Sequence, residues 1–193
     1  MTYVNCRGEN SVRLLLEAVL ALMLSSVALA APETHQVGPY KVSFDMNTNT
    51  KYQIQTPSAQ GNSMVTPYFL VIKTDNSTGA SININEYKSP VDSTPQMQGA
   101  LTMYSMITRG INATGPMNQT IDGKNGFLIA GAPFSGSNLP AGTKFYQAQY
   151  WLDSKQCECG PVSVGTTSVG ITSTYPQDVT MNLLKSISVV KSA

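Results

Sequence analysis

Hydrophobic and polar residues alternate along much of this chain. Tyr40, Val42 and Phe44 point one way and Lys41, Ser43 and Asp45 the other, which predicts a half-buried strand over 40–46. The turn Asn47–Thr50 follows, then a second strand over 51–56 that ends at Pro57. Residues 68–73 (Tyr-Phe-Leu-Val-Ile-Lys) are continuously apolar up to Lys73, as expected of a central strand covered on both faces. Alternation returns over 81–87, with Ile82 and Ile84 inward and Ser81, Asn83 and Asn85 outward.

The period then changes from two to that of a helix. Met97, Ala100, Leu101, Tyr104 and Ile107 share one stripe of a helix over 95–109. Thr94 stands at its N-cap, Pro95 at its first position and Gly110 just past its end. This spacing predicts that Leu101 and Tyr104 pack on the sheet, where Leu101→Ala would cost about 2–5 kcal/mol. Residues 117–121 and 127–132 read as a hairpin around Asp122-Gly-Lys-Asn-Gly126, before a Gly/Pro/Ser loop over 133–142. A strand over 144–152 puts Tyr146, Ala148, Tyr150 and Leu152 on one face, and 166–173 is its expected antiparallel partner. Pro176 opens a last helix with Val179, Leu183, Leu184 and Ile187 on its apolar side, and Ser188-Val-Val190 suits a short edge strand. Strands, helix, strands, helix, joined mainly by hairpins, define an α+β class: an antiparallel β-sheet with packed helices.

The beginning of the chain follows another pattern. Arg7 and Arg13 precede an apolar run over 14–30 that ends in Ala28-Leu29-Ala30. That is the layout of a secretory signal peptide over residues 1–30, with an uncleaved anchor as the alternative. The expected organisation is therefore a signal peptide over 1–30, a short tail over 31–38 and a single domain over 39–193. The implied location is secreted, at the cell surface, with no stable membrane span after cleavage. The net charge is +1 and charged residues make up 12% of the chain, about half the usual share. Nucleic acid and anionic lipid demand basic clusters, so neither is an expected partner. Export also gives meaning to three sequons, at Asn76, Asn112 and Asn118, each a candidate glycosylation site in a surface loop.

The opening strand pair 40–56, helix 95–109 after an Ile-x-Ile strand, and the hairpin Thr120-Ile-Asp-Gly-Lys-Asn-Gly126 form one set of features. The aromatic strand 145–152 and the closing Asp178–Ile187 segment complete it. Together they resemble the Mog1/PsbP-like fold group over roughly residues 38–190. The resemblance implies an α/β sandwich acting as a binding or assembly module, and it carries no catalytic motif over to this chain.

Cys157-Glu158-Cys159 is the sharpest local feature, because Cys6 would leave with the signal peptide. Cβ atoms two residues apart on a regular strand are too distant for a disulfide, so an internal bridge requires a turn, which Gly160-Pro161 favours. Four chemistries suit the pair: a turn disulfide, a bridge between subunits, thiol-redox exchange, or soft-metal capture with further ligands. Met97, Met103 and Met106 suit core packing better than copper capture. His35 is the chain's sole histidine and falls in the expected tail, so no histidine-based metal site, no catalytic residue and no cofactor is expected. The outer face of strand 144–152 carries Phe145, Gln147, Gln149 and Trp151, with Asn83 and Asn85 on a comparable face. Such a face binds glycans if it is open and is core if a helix covers it. The function these readings favour is a non-enzymatic cell-envelope module working by protein–protein interaction, with an extracellular protein partner or self-association. Ligand binding comes next and a thiol-redox role after it.

Overall fold

The computed structural model describes residues 32–58, 60–74 and 78–192. The expected signal peptide and the sequon at Asn76 lie outside them. The described residues form an α+β domain, mostly antiparallel sheet with two helices. Strands β4 (Val65–Lys73), β5 (Gly79–Asp92), β6 (Ile111–Ile121), β7 (Lys124–Pro133), β8 (Phe145–Trp151) and β10 (Ser163–Ser173) make most of the large sheet. With β3 (Gln53–Gln55) its order is β3-β4-β5-β10-β8-β7-β6, and the short β9 (Lys155–Gln156) pairs with β10. A small sheet contains β1 (Glu33–Val37), β2 (Tyr40–Phe44) and β11 (Ser188–Lys191) in the order β1-β2-β11. The helices are α1 (Pro95–Thr108) and α2 (Gln177–Ser186).

The core lies on the inner face of the large sheet. Leu70, Ile72, Ile82, Ile84, Ala148, Tyr150, Val169 and Ile171 meet Val179, Leu183 and Leu184 of α2. Val42, Phe44 and Val189 close the cluster from the small sheet. This is the side that the alternation of β5, β8 and β10 assigns to burial. The pairing of β8 with β10 is antiparallel, as the pattern implies, with Tyr150 opposite Val169 and Ala148 opposite Ile171. Hairpin β6–β7 turns on Asp122 and Gly123, with φ of 51° and 70°. That backbone suits a two-residue turn, so the strands begin closer together than a five-residue turn would allow.

Three expectations are corrected. Residues 33–37 are a strand paired with β2, not part of a tail. Its half-buried positions are Glu33, His35 and buried Val37; two polar members disguise the period. His35 stacks on Phe44 at 5.8 Å between ring centroids and bonds Glu33 at 2.9 Å. Next, the strands expected over 40–46 and 51–56 belong to different sheets, since β2 pairs with β1 and β11 while β3 pairs with β4. Finally, α1 sits with the opposite side down. Gly99 and Met106 are buried, whereas Leu101 and Tyr104 are 57% and 69% exposed.

Candidate functional site

The outer face of the large sheet is unusual for a central sheet surface. Cross-strand partners project to the same side, so the register assigns its rows. Asn83 stands opposite Gly170, which stands opposite Gln149. Ser81, Thr172 and Gln147 form a second row, and Asn85, Ser168 and Trp151 a third. Amides and hydroxyls therefore run across β5, β10 and β8. Phe69 and Val71 of β4 flank them on one side, and Phe127 and Ile129 of β7 on the other. Ser81 and Thr172 hydroxyls bond at 2.7 Å, but the buried Asn83 Oδ1 has no hydrogen-bond partner.

Helix α1 covers part of this face. Met106 packs with Ile111, Phe127 and Ile129, and Met103 and Phe145 join that cluster. A hollow opens at each end of the helix. The one at its C-terminal end, about 670 Å³, is walled by Met106, Arg109, Leu139 and Phe145 over Ser81, Gln147 and Thr172. The other, about 620 Å³, is polar and contains Trp151, Asn118, Asn125, Lys124 and Gln96.

The expected aromatic–amide face is thus divided. Phe145 belongs to the helix-covered cluster and Trp151 to the opposite end. Gln147 lines the first hollow, and Gln149 lies between, half-buried. Trp151 offers no open face for stacking, because Tyr87 stacks on it at 5.6 Å. The Gly165 backbone also packs against it, so closely that a Cβ there would fall 2.7 Å from the indole. Trp151 is 4% exposed and its Nε1 has no partner. Sequence reasoning found the tryptophan but missed Gln96, Lys124 and Asn125, which β7 and the start of α1 bring to it. Their only sequence signal was the polarity of the turn before β7 and of the first turn of α1.

Cys157 and Cys159 are bonded to each other at 2.04 Å, in the turn between β9 and β10. The amide of Cys157 donates to the Val162 carbonyl, closing the hairpin independently of sulfur. Asn112 and Asn118 lie on the edge strand β6, not in surface loops as expected, and both are exposed there.

Several acids have structural partners. Asp153 accepts from the amides of Thr166 and Thr167 and from the Thr166 hydroxyl. Burial alone would raise its pKa, but these bonds hold it below the ordinary value. Asp122 accepts from Tyr150 and from the Val189 amide, tying the β6–β7 turn to the small sheet. Glu86 accepts from Tyr40 and Lys191, each at 2.5 Å, and from Tyr68 at 3.2 Å. Here too burial acts upward, and the bonds from Lys191, Tyr40 and Tyr68 prevail and lower the pKa.

Among the described residues, no group of three or more His, Cys, Asp and Glu side chains is placed to hold a metal ion. No helix among them is long and apolar enough to cross a membrane. No protein-family model, no curated protein and no solved structure matches this chain.

Proposed function

We propose that this chain is a secreted, non-enzymatic module of the cell envelope that works by protein–protein contact through the outer side of α1. One observation carries the reading. Met97, Leu101, Tyr104 and Ile107, at helical spacing, are 54%, 57%, 69% and 42% exposed. A contiguous apolar stripe on a helix suits a partner's hydrophobic groove. Glycosylation at Asn112 and Asn118 agrees with the exposure of both asparagines. The structural engagement of Asp122, Asp153 and Glu86 supports a binding role over hydrolysis. We also propose that the domain belongs to the Mog1/PsbP-like group, a reading that the element order and the helices set against an antiparallel sheet support.

The test is cross-linking in the native envelope, comparing the wild type with a Leu101→Asp, Tyr104→Asp variant. One defined cross-linked species should disappear in the variant while the others persist. Identical cross-links in both proteins would refute the reading. N-terminal sequencing of the mature protein checks export, with Ala31 or Pro32 expected first and an intact Met1 in a cytoplasmic fraction contradicting it.

A second reading, a ligand-binding domain, rests on the polar cleft that Trp151 helps to line and on the buried, unpartnered Nε1 of that residue. A buried donor left without an acceptor costs free energy, which a ligand oxygen would recover.

A further inference from the structure

Cys157 and Cys159 are bridged across a single residue, Glu158, in the turn between β9 and β10. Other bonds already hold that turn. The Cys157 amide donates to the Val162 carbonyl at 2.8 Å, and the Gly160 amide to the Cys157 carbonyl at 3.4 Å. The Gln156 side-chain amide donates to the carbonyls of Gly160 and Val162, at 2.5 and 3.3 Å. Lys155 and Gln156 pair with Val164 and Ser163 across the hairpin. None of these bonds involves sulfur.

Folding and disulfide formation are legs of one thermodynamic cycle. Whatever the bridge adds to the stability of the fold, the fold adds to the stability of the bridge. With one residue between them, the two cysteines stay close even in the unfolded chain, so joining them removes little chain entropy. The fold therefore does little to protect this bridge. A structural disulfide is different. Its usual contribution makes it about thirtyfold to a thousandfold harder to reduce in the native protein than in the unfolded chain.

The two sulfurs are not equivalent. Cys159 is exposed and Cys157 half-buried. The Cys159 amide donates to the Cys157 sulfur at 3.2 Å, a bond that strengthens when the acceptor becomes an anion. Cys159 is thus the sulfur open to attack, and Cys157 the better leaving group. Lys155 and Glu158 are both exposed and opposite in charge, so the amide, not net charge, sets this order.

We infer that Cys157–Cys159 is a reversible thiol-exchange site, which takes two electrons from an external dithiol while the fold stays unchanged. One thiolate of the dithiol attacks the Cys159 sulfur. The Cys157–Cys159 bond breaks, and Cys157 leaves with the electron pair and takes a proton from solvent. The second thiolate of the dithiol then attacks its own partner sulfur in the mixed disulfide and releases Cys159, which is protonated in turn. The dithiol ends as a disulfide, and the pair ends as two thiols. This activity does not rest on the contact proposed for α1.

The mature protein is equilibrated with reduced and oxidised dithiothreitol, in buffer and in urea sufficient to unfold it. After an acid quench its free thiols are counted. The equilibrium constant for reduction should be no more than about tenfold smaller in the native protein than in the unfolded one. A larger protection would make the bridge a structural staple and overturn the inference. Reduction should leave the far-ultraviolet dichroism of the native protein unchanged, and a loss of that signal would also overturn it. Brief exposure to glutathione, then alkylation and peptide mass spectrometry, reads the order of attack. Glutathione should be found on Cys159; glutathione on Cys157 would overturn the assigned roles.

Discussion

Helix α2 turns Val179, Leu183 and Leu184 into the core, whereas α1 buries Gly99 and Met106 and leaves Met97, Leu101 and Tyr104 in solvent. The two helices lie on opposite faces of one sheet; α1 begins at Pro95, and Pro176 is the N-cap of α2. Their difference is in the polar residues. In α2, Asp178, Asn182 and Lys185 mark a solvent side, so the apolar stripe has one place to go. Between Pro95 and Thr108 no residue is charged, and Met103 and Met106 face away from the Leu101 stripe. A helix that is apolar on two sides gives periodicity nothing to choose by. Packing chose the side with the smallest residue. A Cβ on Gly99 would fall 2.6 Å from the Pro116 side chain of β6, so the helix rests directly on that strand.

This contrast can be broken by mutation. Leu183→Ala empties a fully buried position and should cost about 2–5 kcal/mol in chemical denaturation. Gly99→Ala should destabilise by about 1 kcal/mol, because an overpacking cost of about 1–3 kcal/mol outweighs a helix-propensity gain of about 1 kcal/mol. A stabilised Gly99→Ala protein would mean that α1 stands off from β6. The reverse holds for Leu101→Ala, which should change stability by less than about 0.5 kcal/mol, in place of the core-sized loss that helical spacing alone implies. Smallest of all should be the effect of reducing Cys157–Cys159, since so short a loop closes little chain entropy; a denaturation midpoint unmoved by reductant is the expected result.

The inner face also predicts a pH response. The bonds from Lys191, Tyr40 and Tyr68 lower the Glu86 pKa from its ordinary 4.5. Its stabilising contribution is therefore complete above 4.5 and is lost as the pH falls through the lower folded value. Glu86→Gln should remove that part of the acid limb in a denaturation series from pH 6 to pH 2. An unchanged acid limb would mean that Glu86 does not tie β5 to the small sheet.

The sequence made the inner face legible because its residues obey a single period. Ile82 and Ile84, Tyr146 through Tyr150, and Val169 with Ile171 all fall where alternation assigns them. It did not reveal β1, whose inward positions include Glu33 and His35. Nor did it reveal that β2 and β3 part into two sheets, since a turn such as Asn47–Thr50 does not say which partner each strand takes. The polar cleft was half visible. Trp151 stood out, but Asn125 and Gln96 join it only through the pairing of β7 with β8 and the placement of α1. Local pattern contains no such long-range information.

The central claim is that the outer side of α1 is a surface kept for a partner. It is tested most directly by measuring stability and native cross-linking on the same Leu101→Asp, Tyr104→Asp protein. The denaturation free energy should lie within about 1 kcal/mol of the wild type, since both positions are exposed, and the partner cross-link should be lost. A core-sized loss of stability, or a cross-link that survives in a fully folded variant, would contradict it.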